Sequence, residues 1–136
     1  MNSTYWLNEI MNTMYVNSSK EFWVGLSSTE PDKDGGNITE PTGEDYARVQ
    51  VTGFTEANDG FIYNMENLAF QKSQSIWFPS EAKAAYWLLF DGSGADAHLL
   101  QAGPLKEPKT IESSTTLAIA AETMGIALFD CEHSIA

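Results

Sequence analysis

The sequence has few of the residues on which metal sites and nucleophilic catalysis depend. Its 136 residues include one cysteine and two histidines. The single cysteine, Cys131, cannot form a disulfide bond within the chain, and no Cys/His cluster has the spacing of a zinc site. Acidic residues flank Cys131 and disfavour a reactive thiolate. The sequence therefore predicts no metal, no cofactor and no cysteine nucleophile.

Basic residues are also scarce, with 7 Lys and Arg against 19 Asp and Glu and a net charge of −12. A chain with this charge repels phosphate backbones and anionic lipids. No stretch approaches the roughly 20 apolar residues that a membrane-spanning helix needs. Residues 1–14 lack the basic start of a signal peptide. We predict no direct contact with nucleic acid or membrane.

What the chain does have is a large apolar fraction, with 43% hydrophobic and 12% aromatic residues. This composition is typical of a globular domain, and we predict one domain over residues 1–136. Ser3 or Thr4 can cap a helix, and Leu7, Ile10, Met11 and Met14 follow at helical spacing. Residues 3–15 are therefore predicted as a short amphipathic helix. A β region at 21–129 and a tail at 130–136 complete the domain.

Short β-prone segments with Gly, Pro, Asn and Asp between them fill the β region. The lack of helical crossovers favours an antiparallel sandwich or barrel. We predict a mainly β fold, an antiparallel, jelly-roll-like β-sandwich with one short N-terminal α-helix. Ala84–Asp91 reads as a central strand, and Asp91–Ala97 as a hairpin loop. The predicted strands are Glu21–Leu26, Tyr46–Val51, Phe61–Phe70, Ser75–Phe78, Ala84–Asp91, His98–Gly103, Thr116–Glu122 and Gly125–Phe129.

The acidic loop at 32–45 invites a comparison with the calcium-binding EF-hand. If Asp32 is the first position of such a loop, the sixth is Asn37, where glycine is needed, and the twelfth is Gly43, where a bidentate Glu is needed. An EF-hand is therefore excluded. Two alternatives stay open, a solvated turn and a looser cation site. The side chains available to that looser site are Asp32, Asp34, Glu40 and Glu44.

The aromatic residues are candidates for a binding surface. Trp23 and Trp87 fall in continuous apolar strands, where core packing is the usual role. Trp77 lies in an irregular polar stretch; of the tryptophans we expect it to be the most exposed, which makes it the candidate for contact with a ligand or partner. No serine lies in a G-x-S-x-G elbow, and carboxylates are so numerous that some will be neighbours by chance. The residues do not predict an enzyme.

Several motifs in order resemble a known family. They are "FWVGLSSTEP", "TEPTGEDYARVQV", "LLFDGSG" and "HLLQAGPLKEPKTIESS". From Tyr5 to Phe129 the chain is similar to the small virion proteins of tailed bacteriophages usually labelled phage tail fibre protein. Glu44 and Asp45 stand where the family commonly has glycines, and Phe78 replaces its glycine after the tryptophan. The matching structural residues are Gly25, Gly43, Tyr46, Ala47, Arg48 and Asp91.

The resemblance implies a non-enzymatic structural protein of a tailed-phage virion, assembled in the host cytoplasm. It would belong to a tail fibre or baseplate, or decorate the capsid. Its partners would be other virion proteins and further copies of itself, for which a trimer is one arrangement. The alternative is a glycan- or receptor-binding adhesin at a fibre tip, which would use Trp77 or the acidic loop with a metal. A polysaccharide depolymerase is a third interpretation.

The resemblance also gives a reading of "TEPTGEDYARVQV". It implies a turn at Gly43 that delivers Tyr46 and Ala47 into a strand. Arg48 would then face the acidic side chains around it, in an exposed pair that contributes little to stability.

Overall fold

A computed structural model describes residues 3–43, 45–78 and 82–128. Their contacts group into two compact units, each built from separate stretches of the chain. The first comprises Met1–Lys20, Thr52–Asn67 and Ala120–Ala136, and the second comprises Glu21–Val51 and Leu68–Ile119. The single domain expected over 1–136 stays a prediction.

The first unit begins with helix α1, Thr4–Met11, which continues into a π-helical turn, Asn12–Val16. The hydroxyl of Ser3 accepts a hydrogen bond from the Trp6 N–H (3.2 Å) and caps the helix, as the sequence predicts. Met11 and Tyr15 are buried, and the Tyr15 ring meets Phe54 edge to face, 5.7 Å between centroids. One face of the helix is thus anchored in the core of its own unit.

A small antiparallel ladder forms the β part of the first unit. Strand β3, Phe61–Tyr63, pairs with β8, Gly125–Ala127. Asn58 and Phe61 exchange two backbone hydrogen bonds of 3.0 Å around Asp59 and Gly60, both of which have positive φ. Two central residues of this kind, an Asp-Gly pair, form the tight hairpin turn that matches strand twist.

A buried asparagine holds the ends of this ladder together. The Asn64 amide nitrogen donates to the carbonyls of Glu66 and Ala120, both at 2.9 Å. Its oxygen accepts from the Met124 N–H, also at 2.9 Å. The side chain is fully buried, so these bonds replace the water that it loses. Asn64 therefore ties β3 to the turn that precedes β8.

The second unit is organised around a four-stranded antiparallel sheet, in the order β2 (Val49–Val51), β1 (Phe22–Ser27), β5 (Ala84–Phe90) and β6 (Leu99–Lys109). Its two inner strands, β1 and β5, are mostly buried and apolar, which confirms the central strand predicted at Ala84–Asp91. A second, two-stranded ladder pairs β4 (Leu68–Ala69) with β7 (Ala118–Ile119).

The structure confirms the predicted fold class: it is mainly β, its sheets are antiparallel, and it has one N-terminal helix. The hairpin after β5 is also confirmed. The jelly-roll arrangement of the strands stays a prediction. Within the described ranges, no helix is long and apolar enough to cross a membrane.

Two strand predictions were wrong. Phe61–Phe70 forms two short strands, β3 and β4, with different partners, because Asn64 turns inward between them. Ser75–Phe78 forms no strand; its Trp77 N–H donates instead to the Ile111 carbonyl (3.2 Å). The tail at 130–136, with Cys131 and His133, lies outside the described residues.

Replacing Asn64 by aspartate tests the buried amide. The Asn64→Asp variant has nearly the same shape but directs a carboxylate oxygen at two carbonyl oxygens. We expect a loss of about 3 kcal/mol in the free energy of unfolding, measured by urea denaturation. Asn67→Asp is the matched control, since the exposed Asn67 uses only its oxygen, to accept from the Ala121 N–H. Equal losses in the two variants would contradict this account.

Candidate functional site

Four of the side chains in the family motifs meet at one place in the second unit. We call them the Glu40 cluster: Glu40, Tyr46, Arg48 and Phe90. They come from the acidic loop, from the approach to β2 and from the end of β5. Residues that are up to 50 positions apart in the sequence are thus joined in one interaction network.

Arg48 is the centre of the Glu40 cluster. Its guanidinium binds both carboxylate oxygens of Glu40, Nη2 to Oε1 at 2.7 Å and Nε to Oε2 at 3.2 Å. Its Nη1 donates to the carbonyls of Gly94 (2.8 Å) and Gly92 (3.3 Å) in the β5–β6 hairpin. The guanidinium carbon lies 3.6 Å from the centre of the Phe90 ring. The planar fork of arginine fits all three kinds of contact at once.

Tyr46 completes the network from the other side of Glu40. Its hydroxyl donates to Glu40 Oε2 (2.7 Å) and accepts from the Leu26 N–H of β1 (3.1 Å). Burial, and then the negative charge of Glu40, raise the pKa of the Tyr46 phenol well above its usual value. The phenol therefore stays protonated, as its hydrogen bond to the carboxylate requires.

Gly25 leaves room for the cluster. A Cβ atom built on this residue would lie 2.7 Å from the Tyr46 hydroxyl and 2.8 Å from Glu40 Oε2. Both distances are too short for any real side chain, so a substitution would push the two polar groups off β1. The close approach of Tyr46 and Glu40 therefore explains why the "VGL" motif has glycine at this position.

The expected exposure of the Arg48 pair was wrong. The side chains of Arg48 and Glu40 are only 11% and 23% exposed. Strand β2 begins at Val49, so Tyr46 and Ala47 precede the sheet, and Ala47 is exposed. The reason is that the Tyr46 ring turns inward, where it meets the Trp77 ring edge to face, 5.3 Å between centroids.

Trp77 lies beside the cluster and is only 1% exposed, so the prediction of an exposed indole was wrong. Its Nε1–H donates to Asp45 Oδ2 (3.0 Å), and the same carboxylate accepts from the Gln74 N–H (2.5 Å). These donors, Gln74 first, lower the pKa of Asp45. Gly43 has a Cβ position 3.2 Å from the Trp77 ring. Contact of Trp77 with a ligand stays a prediction that its burial does not support.

Asp91 shapes the hairpin that Arg48 binds. One oxygen of its carboxylate accepts from the His98 N–H (2.7 Å), and the other lies 3.0 Å from His98 Nδ1. The Asp91 N–H in turn donates to the His98 carbonyl (3.2 Å). Asp91 therefore closes the loop whose carbonyls point at the guanidinium.

Two carboxylates of the acidic loop, those of Asp32 and Glu40, accept hydrogen bonds from their own chain. Asp32 Oδ1 accepts from the N–H groups of Gly36 (2.7 Å) and Asp34 (3.0 Å), and Glu40 is paired with Arg48. Within the described ranges, no group of three or more His, Cys, Asp or Glu side chains is placed to hold a metal ion. Glu44, the fourth candidate ligand, lies outside them. Cation binding by this loop stays a prediction without structural support.

The first unit carries two exposed apolar features that the sequence analysis missed. One is an apolar groove along the helix, which we call the helix stripe: Trp6, Ile10 and Met14, with Glu9 and Thr13 at its sides. Trp6 is 54% exposed and Met14 is 47% exposed. The other is a pair of aromatic rings on β3, Phe61 and Tyr63. The residues of the helix stripe are four apart in the sequence, and the two rings on β3 are two apart. This spacing places each set on one side of its element, but only the packing of that element shows whether the side faces solvent.

Comparison with known proteins gives one result that bears on function. A family model described as podophage GP4 fiber I protein gp80 matches residues 1–127. No curated protein is significantly similar to the sequence. The match covers both compact units and all of the motif residues in the Glu40 cluster.

Removing the Arg48 guanidinium should destabilise the chain strongly. Arg48→Met leaves the partly buried Glu40 carboxylate without its cation, and we expect a loss of about 1–3 kcal/mol in the free energy of unfolding. Lys72→Met, at an exposed cation, should change it by less than about 0.5 kcal/mol. Adding Glu40→Gln to Arg48→Met should recover part of the loss. If Arg48→Met resembles the Lys72 control in urea denaturation, the pair is not buried in solution.

The pKa of Tyr46 predicts a loss of stability at high pH. The phenol has a raised pKa in the folded state, so the unfolded chain releases this proton first, near pH 10. From there upward the free energy of unfolding should fall by up to about 1.4 kcal/mol per pH unit from this group.

Comparing two Tyr→Phe variants isolates that contribution, since other groups also titrate above pH 10. Tyr46→Phe should show a shallower fall than the natural chain in urea denaturation between pH 9 and 11. Tyr5→Phe, at an exposed tyrosine, should leave the slope unchanged. Parallel curves for all three proteins would rule out a buried, protonated Tyr46.

Proposed function

Because the chain belongs to the podophage GP4 fiber I protein family, we propose that it is a non-enzymatic structural component of a phage tail fibre. It acts by assembling with other virion proteins and with further copies of itself, and it is made and assembled in the bacterial host cytoplasm. The family match over residues 1–127 carries this proposal. Because the family is named for a fibre, we favour the fibre over the baseplate and the capsid surface.

The hydrogen bonding within the Glu40 cluster supports a structural role. In the Glu40 cluster the carboxylate, the phenol and the guanidinium bond to one another or to the backbone. A catalytic acid or base needs a proton position that is open to substrate. These groups instead hold a loop, β1 and a hairpin together, which suits a building block.

The helix stripe supports assembly through the N-terminal helix. Met11 and Tyr15 anchor the helix in its own unit, while Trp6 and Met14 lie exposed beside that buried face. A helix whose apolar surface extends well beyond one face is usually buried on more than that face. We therefore assign the helix stripe as the contact between copies.

Charge favours a second copy at this place. Two chains of net charge −12 repel each other, so their contact should form where charge is lowest. Thr4–Val16 contains one charged side chain, Glu9. Matching stripes can therefore bury Trp6 and Met14 against each other with little electrostatic cost.

The adhesin alternative relies on Trp77 and the acidic loop, and most of these side chains have partners within their own chain. The indole of Trp77 is buried against Asp45, and the carboxylates of Asp32 and Glu40 bind their own chain. A fibre-tip role that used these groups would require them to separate from their present partners.

Immunogold labelling of purified virions tests the role in the particle. We expect an antibody against the chain to mark the tail fibres. Label confined to the capsid would overturn the fibre assignment. The absence of label on any particle would overturn the virion assignment, provided that the antibody recognises the purified folded chain.

Changing the helix stripe should change the number of copies that associate. The purified chain should sediment as an oligomer, with a trimer as one possible size, and Trp6→Glu should shift it to a monomer because it places charge in the apolar contact. Tyr5→Glu is the matched control: Tyr5 is more exposed but lies outside the groove. A natural chain that is monomeric at all concentrations would exclude this contact.

A further inference from the structure

The aromatic pair on β3 forms an exposed surface that the assembly role does not use. Phe61 and Tyr63 lie two residues apart and so face the same side of the strand. They are 43% and 36% exposed, while Ile62 between them is fully buried. Aromatic side chains of this size are normally covered, so two of them side by side in solvent point to a binding surface.

The two rings share one orientation. Their planes differ by 20°, and their centroids are 6.4 Å apart. Across the ladder their partners on β8 are Ala127 and Gly125, which are among the smallest residues. A Cβ atom on Gly125 would lie 3.1 Å from Tyr63 Cε1, so the tyrosine ring leans into space that only glycine leaves open. We call Phe61 and Tyr63 the aromatic platform.

Polar groups border the platform on the side away from β8. Thr55 pairs with Tyr63: its N–H donates to the Tyr63 carbonyl (2.8 Å) and its hydroxyl accepts from the Tyr63 N–H (3.0 Å). The hairpin turn then places Asn58 opposite Phe61. Glu56, Asn58 and Asp59 in this segment are exposed. Carboxylate and amide groups beside a flat apolar surface can bind hydroxyl groups.

The charge around the platform limits what can occupy it. Residues 52–67 and 120–128 contain four acidic residues and no lysine or arginine. An anionic ligand would meet repulsion from these two segments, which offer it no cation. A second copy would bring the same acidic border against this one. A neutral or positively charged ligand with one apolar face fits the surface.

From this combination we propose that the aromatic platform is a stacking site for a pyranose saccharide that is neutral or carries an amino group. A pyranose presents a face of C–H groups to an aromatic ring and directs its hydroxyl groups outward to the polar border. The ammonium group of an amino sugar would add attraction to the ring faces and to the carboxylates. The site adds ligand binding to the assembly role and does not depend on it.

Isothermal titration of the full purified chain tests the site with four defined probes: cellohexaose, maltohexaose, chitosan hexamer and galacturonic acid hexamer. We expect binding of at least one of the first three and none of the anionic fourth. Phe61→Ala and Tyr63→Ala should each weaken that binding about tenfold, the effect of losing one stacked ring. Tyr63→Phe should retain it. Leu100→Ala, at an exposed apolar residue of the second unit, is the matched control and should have no effect.

Three outcomes would overturn the proposal. The first is a flat titration with all three neutral and amino sugar probes. The second is tighter binding of the galacturonic acid probe than of the others. The third is a change in sedimentation of Phe61→Ala with unchanged saccharide binding, which would make the platform an interface between proteins. As a control, urea denaturation of both alanine variants should show that they are folded at the titration temperature.

Discussion

The second unit depends on the contact between Arg48 and Glu40. The guanidinium joins three parts of the chain that have little regular structure of their own: the acidic loop, the approach to β2 and the β5–β6 hairpin. Desolvating two charges is costly, and the arrangement offsets that cost with two carbonyls, the face of Phe90 and the Tyr46 hydroxyl. Both partly buried charges thus have strong partners, and these contacts hold the three segments together.

This contact also shows how acidic residues of the loop at 32–45 serve the fold of their own chain. A free carboxylate attracts cations, but Glu40 is already neutralised and Asp32 accepts from the backbone of its own loop. Asp45 is likewise engaged, by the Gln74 N–H and the Trp77 indole. Three of the carboxylates that the sequence offers, those of Asp32, Glu40 and Asp45, thus help to order this part of the chain.

The sequence predicted those elements whose cause is local. The helix follows from the Ser3 cap and apolar spacing, and β5 from a continuous apolar run followed by a Gly-Ser-Gly turn. Trp77 could not be predicted in this way, since its burial depends on Asp45, 32 residues away. The division of Phe61–Phe70 into two strands depends on Asn64, whose partners include Ala120 and Met124, 56 and 60 residues further along. Periodicity contains no information about such distant partners.

The same limit applies to the exposed surfaces. It explains why the exposure of Trp77 was predicted wrongly and why the exposure of Phe61 and Tyr63 was not predicted. Residue type alone favours Trp77 as a ligand contact, yet a polar neighbour that accepts its indole N–H lets it be buried. Phe61 and Tyr63 sit in an ordinary alternating strand, and only the pairing with Gly125 and Ala127 shows that nothing on β8 covers them. An exposed aromatic surface in a small β protein is therefore better found from what the neighbouring strand lacks than from which aromatic residue stands out in the sequence.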